Sequence, residues 1–170
     1  MQTFLPYPDF AASAAVLDAR RLGKQRVEAL QVLRGLTVPG YGWRHHPAVR
    51  MWHGHLEALV RYGLTVCAEW TRTGRADTVA DTLRREFTAA TGRTLVRDQA
   101  ELGAATALPA WLGRADLHLS HRAALVHKDP DYYRPRFGDL APVPYVWPCP
   151  PAVPPPIAPA PSGEKGPWSD

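Results

Sequence analysis

The sequence predicts an all-α protein built as one compact helical domain, and three observations predict it. Apolar residues recur at three- and four-residue steps from Leu17 through Leu125. No segment alternates apolar and polar residues as a half-buried strand would. Capping and breaking residues, such as Asp9, Pro39-Gly40, Gly74, Asp77 and Gly92, bracket the periodic runs.

About five helices follow from this pattern. Asp9 caps a first helix running to about Asp18. A second runs from about Arg20 to Leu36, with an apolar stripe of Leu17, Val27, Leu30, Leu33 and Leu36, and stops at Pro39-Gly40. Gly23 inside it costs about 1 kcal/mol as helix interior, so it marks a helix start, a kink or a close approach.

A long helix is expected from Pro47, a favoured first-turn residue, through Val49, Trp52, Leu56, Leu59, Val60, Leu64, Cys67 and Trp70 to Gly74. Asp77 caps the next, with Leu83 and Phe87 inward, ending at Gly92. Residues Arg93 to Thr106 read as an irregular connection and Leu108 to Gly113 as a tucked turn. A last helix carries Leu117, His121, Ala124 and Leu125 and is stopped at Asp129 by Pro130. The domain is expected over residues 1–148, with a Pro-rich, extended or disordered tail over 149–170.

Composition narrows the function classes. At 170 residues, 45% of them hydrophobic, the chain suffices for one core. No run is long and apolar enough for a membrane span, and the N-terminal residues lack the pattern of a signal peptide. Cys67 and Cys149 make neither a metal spacing nor a disulfide framework, which favours a reducing, cytoplasmic setting. Cys67, on a helical face, reads as a small buried hydrophobe. The net charge of +4 is uneven: residues 1–75 hold ten Lys/Arg against five Asp/Glu. Such an excess suits an anionic partner, phosphate first, although arginine-rich solvated helices produce the same count.

Three clusters carry the chemistry. The first is the segment Leu17 to Leu30, where Arg20, Arg21, Lys24 and Arg26 crowd a helix that needs only its apolar stripe to dock. Lys24 and Glu28 stand four residues apart on one face. An amine beside a carboxylate suits attack with proton shuttling, and equally suits a stabilising ion pair. The second is Trp43-Arg44-His45-His46-Pro47 with His53 and His55 beyond it. Its spacing does not support a zinc site, whereas a histidine at a helix N-terminus suits a phosphate or abasic sugar. The third, Lys128 to Gly138, interleaves Tyr132 and Tyr133 with Arg134 and Arg136. Aromatics and arginines so placed stack on bases and grip phosphates, or strap a C-terminal segment to the core.

Taken in order, these clusters resemble the pyrimidine-dimer DNA glycosylase (bacteriophage endonuclease V) family, and more closely its uncharacterised bacterial branch. The likeness rests on the short lead Met1-Gln2-Thr3-Phe4, the basic helix ending Gln25-Arg26-Val27, and the histidine-led stretch His46 to Gly74. It continues in Leu117-His118-Leu119-Ser120-His121-Arg122 before Tyr132-Tyr133-Arg134, and covers roughly Met1 to Gly138. The resemblance implies a single helical domain acting on duplex DNA. An N-terminal amine attacks the sugar C1′ of a damaged nucleotide, and the Schiff base then permits β-elimination, so glycosylase and abasic-site lyase share one site. It also implies a glutamate on the basic helix as acid/base, and arginines on the kinked phosphates. Arg26 matches a phosphate-binding arginine, His46 the histidine before the long helix, and Tyr132, Tyr133 and Arg134 the aromatic-basic tail.

Two departures qualify the likeness. Placing Arg26-Val27 on the family motif puts the glutamate position on Gly23, and Glu28 lies about 140° further round the helix. The family exposes its nucleophile by removing Met ahead of a small residue, whereas Gln2 is large and retains Met1. The expected site is therefore Met1 or Lys24 as amine, Glu28 as acid/base and His46 beside them, with no cofactor and no metal. Arg20, Arg21, Arg26, Arg44, Tyr132, Tyr133 and Arg134 are expected on DNA, in a monomer associated with the nucleoid. Two alternatives stand beside this reading: a non-catalytic DNA-binding helical module, and an enzyme on a small nucleotide-like substrate.

Overall fold

The computed structural model describes residues 1–148. The tail expected over 149–170 lies outside the described residues. Among the described residues the protein is all helical, with eight helices in place of the five or so expected: α1 (Phe10–Ala15), α2 (Ala19–Thr37), α3 (Pro47–Arg50), α4 (Leu56–Arg72), α5 (Val79–Thr91), α6 (Gln99–Ala104), α7 (Ala115–Lys128) and α8 (Pro130–Phe137).

Each start follows local chemistry. Asp9 accepts the Ala12 amide and Asp18 the Arg21 amide, satisfying donors that the first helical turn leaves unpaired. Asp77 takes the Ala80 amide at 2.8 Å, one residue outside the Thr78 cap. The long helix expected from Pro47 to Gly74 is interrupted: a four-residue α3 is followed by turns, and α4 begins only at Leu56. Gly54, with φ +83°, adopts a left-handed conformation within those turns that an L side chain resists. His53 and His55 consequently lie in the break and not on the helix.

Two further helices fall where a connection and a stop were expected. Asp98 and Glu101 form a reciprocal capping box that starts α6. Pro130 ends α7 and also opens α8, where its fixed φ suits the first turn and Asp129 caps the Tyr132 amide.

The buried side chains form one core, with α2 packed on α4 and both against α5. The stripe on α2 is Leu22, Ala29, Leu30, Val32 and Leu33. Val27, expected in that stripe, is 44% exposed. At 100° per residue it shares the face of Arg20 and Lys24, which is the solvated one.

The extended segment before α1 is held by hydrogen bonds to α2, α7 and Trp52. Thr3 Oγ1 accepts from Trp52 Nε1 at 3.0 Å, and the Phe4 amide donates to Gln25 Oε1 at 2.8 Å. The Leu5 amide donates to His121 Nδ1 at 2.8 Å, and its carbonyl accepts from His118 Nδ1 at 2.7 Å. Arg122 donates to the Pro6 carbonyl at 2.7 Å. His118 Nε2 accepts the Gly113 amide, so both its ring nitrogens are used and the ring is neutral with its proton on Nδ1. The chain's first residues are thereby fixed between α2 and α7.

Candidate active site

Glu28 lies on the face of α2 that this N-terminal segment covers. Its Oε1 is 3.8 Å from the Met1 amine and 3.6 Å from Lys24 Nζ. The side chains of Met1 and Glu28 are 3% and 8% exposed, whereas Lys24 reaches in from solvent. The other carboxylate oxygen, Oε2, accepts from Gln25 Nε2 at 2.7 Å.

That contact fixes the amide's orientation. Gln25 Oε1 faces the Phe4 amide at 2.8 Å and the Tyr62 hydroxyl at 2.7 Å, so its nitrogen turns to Glu28. Tyr62 is fully buried on α4, and burial together with the nearby Glu28 carboxylate holds its phenol protonated. A core tyrosine, a buried glutamine and a main-chain amide together aim one carboxylate at the chain's amine.

These groups lie on a cleft of about 500 Å³, lined by Met1, Gln2, Arg20, Lys24, Lys128 and Trp147 among others. Arg21 and Tyr145 also line it. His46 caps α3, its Nδ1 accepting the Ala48 amide at 3.1 Å, and packs edge-on to both Trp43 and Trp147. Burial lowers its pKa, the Met1 amine lowers it further, and Glu28 opposes both. The imidazole thus senses the amine and the carboxylate without a direct contact to either. Met1, Lys24 and Glu28 converge, whereas His46 does not line the cleft and stands behind Trp147, which does.

The expected DNA contacts divide. Arg20 and Lys24 line the cleft, joined by Lys128 from the end of α7. Arg21 lines it too but pairs with Asp18 at 2.6 Å and lies over the Tyr133 ring. Arg44 is exposed beside His45 in the loop before α3. Arg26 does not reach the cleft: it pairs with Asp77 and lies 4.2 Å over Trp70, at the α2–α4–α5 junction. Tyr133, also expected on DNA, is fully buried, stacks on Phe137 and donates to Asp18 at 2.6 Å. It holds α8 against the start of α2. Tyr132 is half-buried under Arg136, and Arg134 pairs with Asp139. Neither lines the cleft.

Gly23 has its own explanation. A Cβ there would stand 2.9 Å from Cζ3 of Trp70, so the glycine admits the indole against α2. Position 23 faces α4, and a carboxylate built on it would enter the helix interface. The motif register that places the glutamate at Gly23 is corrected by geometry: the carboxylate beside the amine is Glu28.

Sequence reasoning missed Gln2, Gln25, Tyr62, Tyr145 and Trp147. Gln25 was findable, since it lies three residues from Glu28 on one helical face. Tyr145 and Trp147 belong to an extended segment without periodicity, and nothing local ties them to a cleft formed by residues 1–28. Among the described residues no three His, Cys, Asp or Glu side chains group to hold a metal, and no helix is long and apolar enough to cross a membrane.

Comparison with curated proteins and with solved structures finds no match to the chain. The family model described as pyrimidine dimer DNA glycosylase matches residues 1–83. That stretch carries Met1, Lys24, Glu28 and His46, and the family it matches is the one the sequence resembles.

Proposed function

We propose that the protein is a DNA-repair glycosylase with an associated abasic-site lyase activity, acting on a damaged or modified base in duplex DNA through an amine nucleophile. One observation carries the reading: the Met1 amine lies 3.8 Å from Glu28 in a cleft that Arg20, Lys24 and Lys128 also line. The family match over residues 1–83 supports it.

In this reading Glu28 takes a proton from the Met1 ammonium, and the amine nitrogen attacks the sugar C1′. The glycosidic C1′–N bond breaks, and the base leaves with the electron pair and a proton. The sugar ring opens as the C1′–O4′ bond breaks, O4′ takes the proton held by Glu28, and the nitrogen keeps its remaining proton as the protonated imine. The imine acidifies C2′; a base removes that proton and the C3′–O bond breaks, releasing the 3′ phosphate. Glu28 is suited to both transfers because Gln25 orients it without neutralising it. Arg20, Lys24, Lys128 and Arg44 supply phosphate contacts that position the duplex. Every group named comes from residues 1–148 of one chain, so the proposal requires one domain, one copy and no cofactor. It has the protein work where the DNA is, in the nucleoid.

Lys24 Nζ, 3.6 Å from the same Glu28 oxygen, is the other candidate amine. Borohydride trapping on abasic-site DNA followed by peptide mapping distinguishes the two. An adduct on the Met1 amine is expected. An adduct on Lys24 transfers the role, and no adduct across a range of lesions leaves a DNA-binding module without amine chemistry.

A further inference from the structure

The amine chemistry needs the N-terminal lead in one place, and part of what packs against that lead comes from the far end of the described chain. Beyond α8 the chain runs extended, and the Val146 amide donates to Ser120 Oγ on α7 at 3.2 Å. That hydroxyl is buried and itself donates to the Leu117 carbonyl at 2.7 Å, so the tie is made to a fixed group. Residues two apart on an extended chain project to the same side, and the rings of Tyr145 and Trp147 stand 5.6 Å apart.

Tyr145 meets two groups that serve the lead. Its ring stands edge-on to His121 at 5.8 Å, and His121 Nδ1 accepts the Leu5 amide. With Nδ1 an acceptor, the neutral imidazole carries its proton on Nε2, which is buried and meets no oxygen or nitrogen. Perpendicular aromatic rings, Phe4 and Tyr145, pack against that imidazole instead. At the other end of the side chain, burial raises the Tyr145 phenol's pKa. The Gln2 amide, near the hydroxyl but outside good hydrogen-bond geometry, opposes that effect. Gln2 is buried, adjoins Met1 in the chain, and accepts the Thr3 amide on Oε1 at 2.8 Å.

We infer that the extended segment around Val146 is a strap for the N-terminal lead, and that Tyr145 is a positioning residue holding the Met1 amine beside Glu28 through Gln2 and His121. This rests on the amine reading of the cleft and adds to it a residue that acts through others. The amine stands 3.8 Å from Glu28, longer than a hydrogen bond, so that contact does not fix it alone. Its place depends on the packing of the Met1 side chain and on the groups that hold Gln2 and Leu5. A nucleophile displaced by about 1 Å can lose roughly a hundredfold in rate.

The test uses full-length Tyr145→Ala and Tyr145→Phe chains and two readouts. The first needs no DNA: amide hydrogen exchange in the lead, set against exchange in α4. Tyr145→Ala is expected to speed exchange at Leu5 at least about tenfold while the α4 amides hold. The second is single-turnover borohydride trapping on an abasic-site duplex at rising DNA concentration. Its maximal rate is expected to fall at least about tenfold, with the half-saturating concentration within about twofold of wild type. Tyr145→Phe keeps the ring on His121 and loses the hydroxyl at Gln2, so its maximal rate should fall roughly threefold. Unchanged Leu5 exchange in Tyr145→Ala overturns the inference. A raised half-saturating concentration with an unchanged maximal rate also overturns it, and makes Tyr145 a DNA contact. If Tyr145→Ala loosens α4 as well, Tyr145→Phe decides, and an unchanged maximal rate there overturns the inference. If the wild type is trapped and Tyr145→Ala traps equally fast, the amine chemistry stands and the strap fails. If no chain is trapped while Tyr145→Ala still loosens the lead alone, the amine chemistry fails and the strap stands.

Discussion

At the scale of single residues the decisive feature is direction on one helix. Gly23 and Glu28 lie on different faces of α2, and only Glu28 meets the amine. Glu28→Gln keeps the size of the side chain and loses the base. A single-turnover trapping rate at least about a hundredfold lower is expected, with duplex affinity changed only a few-fold. An unchanged rate would remove Glu28 from the chemistry. Gly23→Glu tests the register directly. Its side chain meets Trp70, not the cleft, so it is expected to leave a Glu28→Gln background inactive and to lower stability by roughly 1–3 kcal/mol. Restored trapping in that double variant would contradict the geometry.

Elements explain where sequence reasoning succeeded and where it stopped. Apolar periodicity made α2, α4, α5 and α7 legible, because each needs a buried stripe. The break at Gly54 was not legible, since Trp52 and Leu56 keep helical spacing across it while their backbones do not. Pro130 read only as a stop, although a proline serves as an end and a beginning equally well. Arg26 and Tyr133 looked like DNA contacts by residue type, and their partners Asp77 and Asp18 lie 51 and 115 residues away. Periodicity carries no information about such distant pairing. The N-terminal segment is the element on which the chemistry hinges, and His121 holds it. Burial lowers the His121 pKa to about 3, from an ordinary value near 6.5. The folded state therefore prefers the neutral ring. The stability it contributes is complete above about pH 6.5 and is lost as pH falls toward about 3. His121→Asn retains an acceptor for the Leu5 amide and removes the titration, so its melting temperature should vary less with pH across that window. His121→Phe removes the acceptor, and is expected to slow trapping at least about tenfold while duplex affinity holds. Equal trapping by both variants would show that the histidine merely fills space.

For the whole molecule, two charge systems act independently. On the side away from the cleft, Glu57 binds Arg93 and Arg97 at 2.7–3.1 Å and fastens the connection between α5 and α6. Those bonds from Arg97 and Arg93, against the opposing effect of burial, lower its pKa to about 2. Its contribution is present above about pH 4.5 and is lost as pH falls through about 2, below most of the His121 window. Glu57→Gln should cost roughly 1–3 kcal/mol at neutral pH and flatten the acid limb of a thermal-melt series. In the proposed reading the cations at and beside the cleft meet DNA. With Arg20, Lys24, Arg44 and Lys128 on phosphates, log affinity for duplex should fall against log salt with a slope of roughly −3 to −4. Arg20→Ala with Lys128→Ala should make it shallower by about two. A slope that does not move would exclude this face as the DNA contact.

The span between Leu5 and His121 also sets a timetable. Their hydrogen bond joins residues 116 apart, so this anchor of the N-terminal lead forms only after α7 has left the ribosome. During synthesis the basic helix is complete while the N-terminal lead still hangs free. If the proposed reading holds, a nascent chain would bind nucleic acid well before it could react with it. In the proposed reading, this anchor of the reactive arrangement is thus among the last to form, and a half-made protein would lack it.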